Sequence, residues 1–148
     1  MFQGQVMARV GDFYRVAFPK IYREKFNDKI IITYGFENSL IAASESKWDE
    51  LFKKEFDNKS ILSENVRDLR RIFLGGITFL EFDNQGRFIV PEYLREYARI
   101  RVKSELVFVY QGGFIEVWDK KLWEDKLDTV LENLTKISEK LLGEKSDE

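Results

Sequence analysis

The chain has 148 residues, with 24 Lys or Arg against 26 Asp or Glu and a formal net charge of −2. A hydrophobic share of 44% and a charged share of 34% mark a soluble globular protein and exclude a disordered one. With no Cys and no His, the sequence excludes disulfides, thiolate zinc sites, cysteine catalysis and the usual general base near neutral pH, so no enzyme activity, metal or cofactor is expected.

The N-terminal MFQGQVMARV lacks the charged start and long apolar run of a signal peptide. No apolar run approaches the roughly 20 residues needed to span a bilayer, so the expected setting is the cytoplasm, with no membrane partner. Residues 4–9 alternate as a strand does, and a turn follows at Gly11-Asp12-Phe13-Tyr14. A short strand over Arg15–Phe18 comes next, then a helix over Pro19–Phe26 with the proline in its first turn. Ile30–Tyr34 is a β-rich run, Gly35-Phe36-Glu37-Asn38 a turn, and Ser39–Ala43 the returning strand. Ser44 is placed to cap a helix that contains Trp48. A polar loop over Asn58–Ser63 then leads into a helix through Phe73, with Val66, Leu69, Ile72 and Phe73 as its apolar stripe.

The same order then returns. Residues 77–82 read as a strand, Asp83-Asn84-Gln85-Gly86 as a turn, Arg87–Val90 as a strand and Pro91–Ala98 as a helix. Leu106–Tyr110, the turn Gln111-Gly112-Gly113 and Phe114–Trp118 follow, with Asp119 as the cap of a helix that contains Trp123. That helix is expected to continue as one amphipathic element through Leu142, packing on the core or on a neighbouring subunit. Its polar face is acidic, which disfavours an anionic membrane.

The only two prolines lie 72 residues apart, and at that offset Gly4 meets Gly76, Arg15 meets Arg87, Pro19 meets Pro91, Arg23 meets Arg95 and Glu24 meets Glu96. Past a loop near Asn27 the offset becomes 75, and Trp48 meets Trp123. The chain is therefore read as an internal duplication of β-turn-β-helix-β-turn-β-helix, an α+β protein. Trp48 and Trp123 are expected to pack in the core. Gly75-Gly76 lacks the helix and lysine of a phosphate loop and is read as a tight strand entry.

Positive charge gathers in two equivalent places, Arg9 to Lys29 and Asp83 to Lys103. In the second, Asp83 can accept backbone N–H bonds within its turn, Gly86 can take a positive φ, and Arg87 then enters the strand over a fixed backbone. Such a tip can hold a guanidinium for a phosphate or a guanine edge, or it can be a plain hairpin with a surface ion pair.

Met1-Phe2-x-Gly4, Arg15-x-x-x-Pro19, Arg23, Leu74-Gly75-Gly76, Asp83-x-x-Gly86-Arg87-x-x-x-Pro91 and Val117-Trp118-Asp119 with Trp123 together resemble the MraZ family of bacterial transcriptional regulators of the division and cell wall cluster. The resemblance covers about residues 1–127. It implies two tandem swapped-hairpin domains of the SpoVT-AbrB type (a double-split β-barrel with flanking helices), at 1–57 and 76–127. Residues 58–75 then form a helical linker and residues 128–148 a C-terminal extension. It further implies a nucleoid-associated, ring-like homo-oligomer on double-stranded DNA with tandem boxes upstream of its own operon. Arg15, Asp83, Gly86 and Arg87 are the DNA-binding candidates. The second half carries the family's Asp-x-x-x-Arg in full; the first departs from it, with Gly11 at the Asp position and Tyr14 before Arg15. Phe13 and Tyr14 are free to pack on a subunit or lie against sugar. The alternative is an oligomeric interaction protein of the same fold that has lost DNA binding.

Overall fold

A computed structural model describes residues 3–26 and 29–146, with side chains through residue 143. The expected change of repeat offset at Asn27, like Met1 and Phe2, lies outside the described residues. The first half contains β1 (Gln5–Arg9), a 3-10 turn (Asp12–Tyr14), β2 (Arg15–Ala17), α1 (Lys20–Lys25), β3 (Ile30–Tyr34), β4 (Leu40–Ser44) and α2 (Glu45–Phe56). After α3 (Glu64–Phe73), the second half repeats the order. It contains β5 (Thr78–Phe79), β6 (Arg87–Ile89), α4 (Glu92–Tyr97), β7 (Glu105–Tyr110), β8 (Ile115–Asp119), α5 (Lys120–Glu132) and α6 (Leu134–Ser146). The protein is α+β, with antiparallel pairing throughout the described strands.

The strands of the two halves interleave. One sheet has the order β1-β7-β8-β4-β3-β5, and β2 pairs with β6 in a separate two-stranded sheet. Exchanging the halves reverses the first order and leaves it otherwise unchanged. At the centre of the small sheet Val16 pairs with Phe88, its own repeat equivalent 72 residues on. Where the halves meet in the large sheet Ile41 pairs with Glu116, its equivalent 75 residues on. The register also refines the repeat. Ile30 opposite Ser44 corresponds to Leu106 opposite Asp119, so the offset is 76 in β3 and β7 and returns to 75 after the turn.

Burial follows from this arrangement. The central strands β3 and β4 are buried along both faces, whereas edge strand β1 alternates exposed and half-buried. On one face of the large sheet, Val16, Phe18, Phe88 and Val90 from the small sheet region meet Tyr22, Leu94, Leu106 and Phe108. The Phe18 ring lies edge-on to Phe82, Phe88 and Phe108 at 5.7, 5.9 and 5.6 Å. Aromatic pairs in that geometry add about 0.5–1.5 kcal/mol each beyond area burial. On the other face, Ile31, Ile41, Ala43, Trp48 and Phe73 form a smaller core under α2 and α3.

Local chemistry sets the boundaries. Ser44 Oγ accepts from Lys47 N and Asp119 Oδ2 from Leu122 N, so the two expected N-caps hold, and Ser63 Oγ caps α3 in the same way by accepting from Val66 N. Pro19 and Pro91 sit one position earlier than expected. Each is an N-cap in extended conformation, and its carbonyl accepts from the amides three and four residues on. The strand expected over 77–82 is a ladder only at Thr78–Phe79: Leu80 N bonds the carbonyl of Ile30, where β3 begins, and Leu80 and Phe82 turn into the core. The C-terminal helix is not continuous. Asn133 ends α5, and its carbonyl accepts from Ile137 N to start α6.

The exit from α3 is tight, in keeping with the strand-entry reading of Gly75-Gly76. Thr33, fully buried, donates toward the carbonyls of Ile72 and Phe73, and Tyr93 donates to the Gly76 carbonyl at 2.9 Å. A Cβ on Gly76 would lie 2.6 Å from both the Ile72 carbonyl oxygen and the Tyr34 ring, whereas one on Gly4, its repeat equivalent, meets nothing within 4 Å. Gly76→Ala is therefore expected to lower unfolding free energy by about 1–3 kcal/mol. Gly4→Ala should stay within about 0.5 kcal/mol of wild type. Urea unfolding of both variants checks the contrast; equal effects would refute it.

Candidate nucleic-acid interface

Two equivalent hairpin tips lead into the small sheet. In the second, Asp83 N donates to the Arg87 carbonyl at 2.9 Å and Gly86 N to the Asp83 carbonyl at 3.0 Å. In the first, Gly11 N donates to the Arg15 carbonyl at 2.8 Å and Tyr14 N to the Gly11 carbonyl at 3.2 Å. The backbone frame is thus conserved between the halves, and the side chains built on it differ.

Asp83 organises the second tip. Its Oδ1 accepts from Gln85 N and Arg87 N, both at 2.9 Å, and its Oδ2 accepts from Arg87 Nε at 2.8 Å. The Arg87 backbone bond, then those from Gln85 and the Arg87 side chain, holds the carboxyl below its ordinary value. Because Arg87 engages Asp83 through Nε, its terminal NH₂ groups lie outside that bond. Gly86 takes φ 75°, and it is buried. A side chain there would collide with the guanidinium of Arg23, which reaches over from α1 of the other half.

The first tip has no such carboxylate. Phe13 and Tyr14 both adopt φ 60°, and Tyr14 occupies the left-handed position that Gly86 fills in the second half. For a non-glycine residue this conformation costs on the order of 1–2 kcal/mol. A cation–π contact offsets part of it: Arg95, from α4 of the other half, lies 4.0 Å over the Tyr14 ring and donates to the Val90 carbonyl. Arg15 lies 5.8 Å over the exposed Phe13 ring. Each tip is therefore covered by an arginine of the opposite half. Arg23 and Arg95 were not among the sequence candidates; their coincidence at the 72-residue offset was the available signal.

Antiparallel pairing brings the candidates together. Arg15 stands opposite Ile89 and Ala17 opposite Arg87, with Val16 and Phe88 between them turned into the core. Arg15 and Arg87 are diagonal neighbours on the outer face of a two-stranded ribbon, roughly 7–8 Å apart in this pairing. Both line one concavity of about 340 Å³ with Glu81, Asp83, Phe88 and Ile89. Among the described residues no acidic cluster is arranged to hold a metal ion, and no helix is long and apolar enough to cross a membrane.

The chain is 33% identical over 138 residues to a protein of Halothermothrix orenii, covering 93% of this chain and 94% of that one. It is 35% identical over 124 residues to a protein of Acetivibrio thermocellus, covering 84% and 85%, and 30% identical over 141 residues to one of Oenococcus oeni, covering 95% and 96%. Each of these relatives is named "Transcriptional regulator MraZ". A family model described as "MraZ protein, putative antitoxin-like" matches residues 73–145, which include the complete Asp83–Arg87 tip. Similarity over nearly the whole length of both chains establishes that this chain belongs to the MraZ family.

Proposed function

We propose that the chain is a sequence-specific DNA-binding transcriptional regulator. The observation that carries this reading is the placement of Arg15 and Arg87 on the outer face of one two-stranded ribbon, with Arg87 fixed from beneath by Asp83. The DNA major groove admits a β-ribbon, and an arginine with free NH₂ groups can pair with the O6 and N7 of guanine or hold a phosphate. On this reading the halves are swapped-hairpin domains at 1–57 and 76–127, joined by the linker 58–75. The pairing of each half's strands with the other's supports that division of labour. The protein acts in the cytoplasm at the nucleoid, as a ring-like homo-oligomer on tandem boxes upstream of its own operon. A single tip makes few contacts and binds weakly at physiological salt. Joining tips in one assembly multiplies avidity by about 10²–10⁴ where the geometry matches the box spacing.

The departures in the first tip favour one specific division between the tips. Arg87 stands on a carboxylate-locked turn, Arg15 beside a strained one, so Arg87 is the principal reader. Arg87→Ala is expected to weaken binding to tandem-box DNA by roughly 5- to 150-fold for each engaged tip, with folding retained. Arg15→Ala should lose less. Gel shifts at two salt concentrations make the comparison. If folded, assembled Arg87→Ala binds like wild type, the oligomeric interaction protein becomes the better reading.

The lock on Arg87 also has a pH signature. A carboxyl whose folded-state pKa is depressed contributes above the ordinary aspartate range and loses that contribution as pH falls through the lowered value. The amide resonances of Gln85 and Arg87 should therefore hold steady from neutral pH into the ordinary aspartate range and shift only below it. Asp83→Asn should abolish that transition. An NMR titration in which the transition lies at or above the ordinary value would contradict the lock.

A further inference from the structure

The two ends of the ribbon share a backbone frame and differ in chemistry. At the 72-residue offset Arg15 corresponds to Arg87, Ala17 to Ile89 and Phe13 to Gln85. Antiparallel pairing sets Arg87 opposite Ala17 and Arg15 opposite Ile89 on the outer face. The Arg87 end therefore carries Asp83, Gln85 and the single methyl of Ala17 beside its guanidinium. The Arg15 end carries Phe13 and Ile89, which are 76% and 55% exposed.

Neither apolar side chain serves the fold. Both stand outside the two cores, while Val16 and Phe88 between the ribbon positions fill the larger one. Phe13 also holds a left-handed φ of 60° with no burial of its ring to offset the strain. Its ring lies under the Arg15 guanidinium at 5.8 Å. The next ring, Tyr14, is covered by Arg95 at 4.0 Å, so Phe13 is the aromatic group left projecting from this tip. A strained side chain held open beside a binding arginine points to a role outside the fold.

We infer that Phe13 and Ile89 form an apolar reader at the Arg15 end of the ribbon, and that its target is the C5-methyl group of thymine. This rests on the reading of the chain as a DNA-binding regulator and names what its first tip reads. The floor of the major groove is lined by hydrogen-bond donors and acceptors, and the thymine methyl is the apolar group among them. Phe13 and Ile89 offer no hydrogen bond there, so a base edge without a methyl leaves polar groups facing hydrocarbon. Cross-strand partners stand about 4.5–5.5 Å apart at Cβ, which puts Ile89 within one base step of Arg15. The two ends of one approximately symmetric ribbon thus make different demands: hydrogen bonds under Arg87, a methyl under Phe13 and Ile89.

The test uses duplex DNA from upstream of the protein's own gene. Each thymine of one box is replaced in turn by deoxyuridine, which deletes the methyl and keeps base pairing and every hydrogen-bonding group. Burial of one such carbon is worth roughly fourfold in affinity, so wild type should bind about fourfold more weakly when the contacted thymine is replaced. Phe13→Asn removes the ring and suits the left-handed backbone, which Asn adopts readily. Ile89→Gln removes the second apolar group at an exposed position. Phe13→Asn should weaken binding to thymine DNA and lose the preference for thymine over deoxyuridine; Ile89→Gln should reduce that preference. Arg87→Ala should weaken binding to both duplexes and keep the preference. The inference is overturned if wild type binds every substituted duplex as it binds the original, or if Phe13→Asn keeps the wild-type preference. A change of assembled mass in Phe13→Asn by light scattering, with the preference intact, would assign the ring to a subunit contact instead. Wild type that does not bind the unsubstituted duplex overturns the DNA-binding reading as well. Binding that Arg87→Ala weakens but that is blind to the methyl overturns this inference alone.

Discussion

Pairing between the halves is the constraint on which the structure depends. Strands of two, three and five residues cannot hold a sheet by themselves, since isolated hairpins are marginal in water. Here β1 finds its partner in β7, β5 in β3, and β2 in β6, each across the repeat. Neither half encloses the large core alone: Val16 and Phe18 come from one, and Phe88, Val90 and Phe108 from the other. A duplicated sequence achieves this with one set of solutions used twice. The self-equivalent pairs Val16–Phe88 and Ile41–Glu116 mark where the approximate symmetry passes through each sheet.

That constraint also explains how the two tips could diverge. Their backbones are fixed by the same pair of hydrogen bonds and by the ribbon behind them, so local sequence is free to vary at some cost. The second tip keeps a carboxylate under its arginine and a glycine at the left-handed position. The first puts a tyrosine in that conformation and covers it with Arg95, where the second half has Arg23 over Gly86. A strained residue persists when its surroundings over-determine it, and here the surroundings are the opposite half of the protein.

Much of this was legible in the sequence because it is local. Ser44, Ser63 and Asp119 announce their helices through short-range hydrogen bonds, and Ile30–Tyr34 announces a strand through composition. The twin prolines and arginines showed the repeat, and Arg15, Asp83, Gly86 and Arg87 could be named before any fold was known. What escaped depends on distant partners. Residues 77–82 have the pattern of a full strand, yet their ladder stops where β3 starts. The break at Asn133 interrupts an apolar stripe that reads as continuous, because a side chain able to bond the backbone ends one helix and its carbonyl begins the next. The reach of Arg23 and Arg95 across the molecule follows from strand order, which no local pattern encodes.

Charge sets a further condition on the ribbon. A chain of net charge −2 approaches DNA only if its acids are kept from the reading face, because Coulomb repulsion acts within about 10 Å at ordinary ionic strength. The excess of acid is concentrated at the end: residues 128–148 have six acids and three bases. The ribbon lies on one face of the large sheet, and α2 and α3 lie on the other. On the proposed reading, the affinity that one tip on such a chain lacks would have to come from linking several weak tips, since each makes few contacts that salt screens.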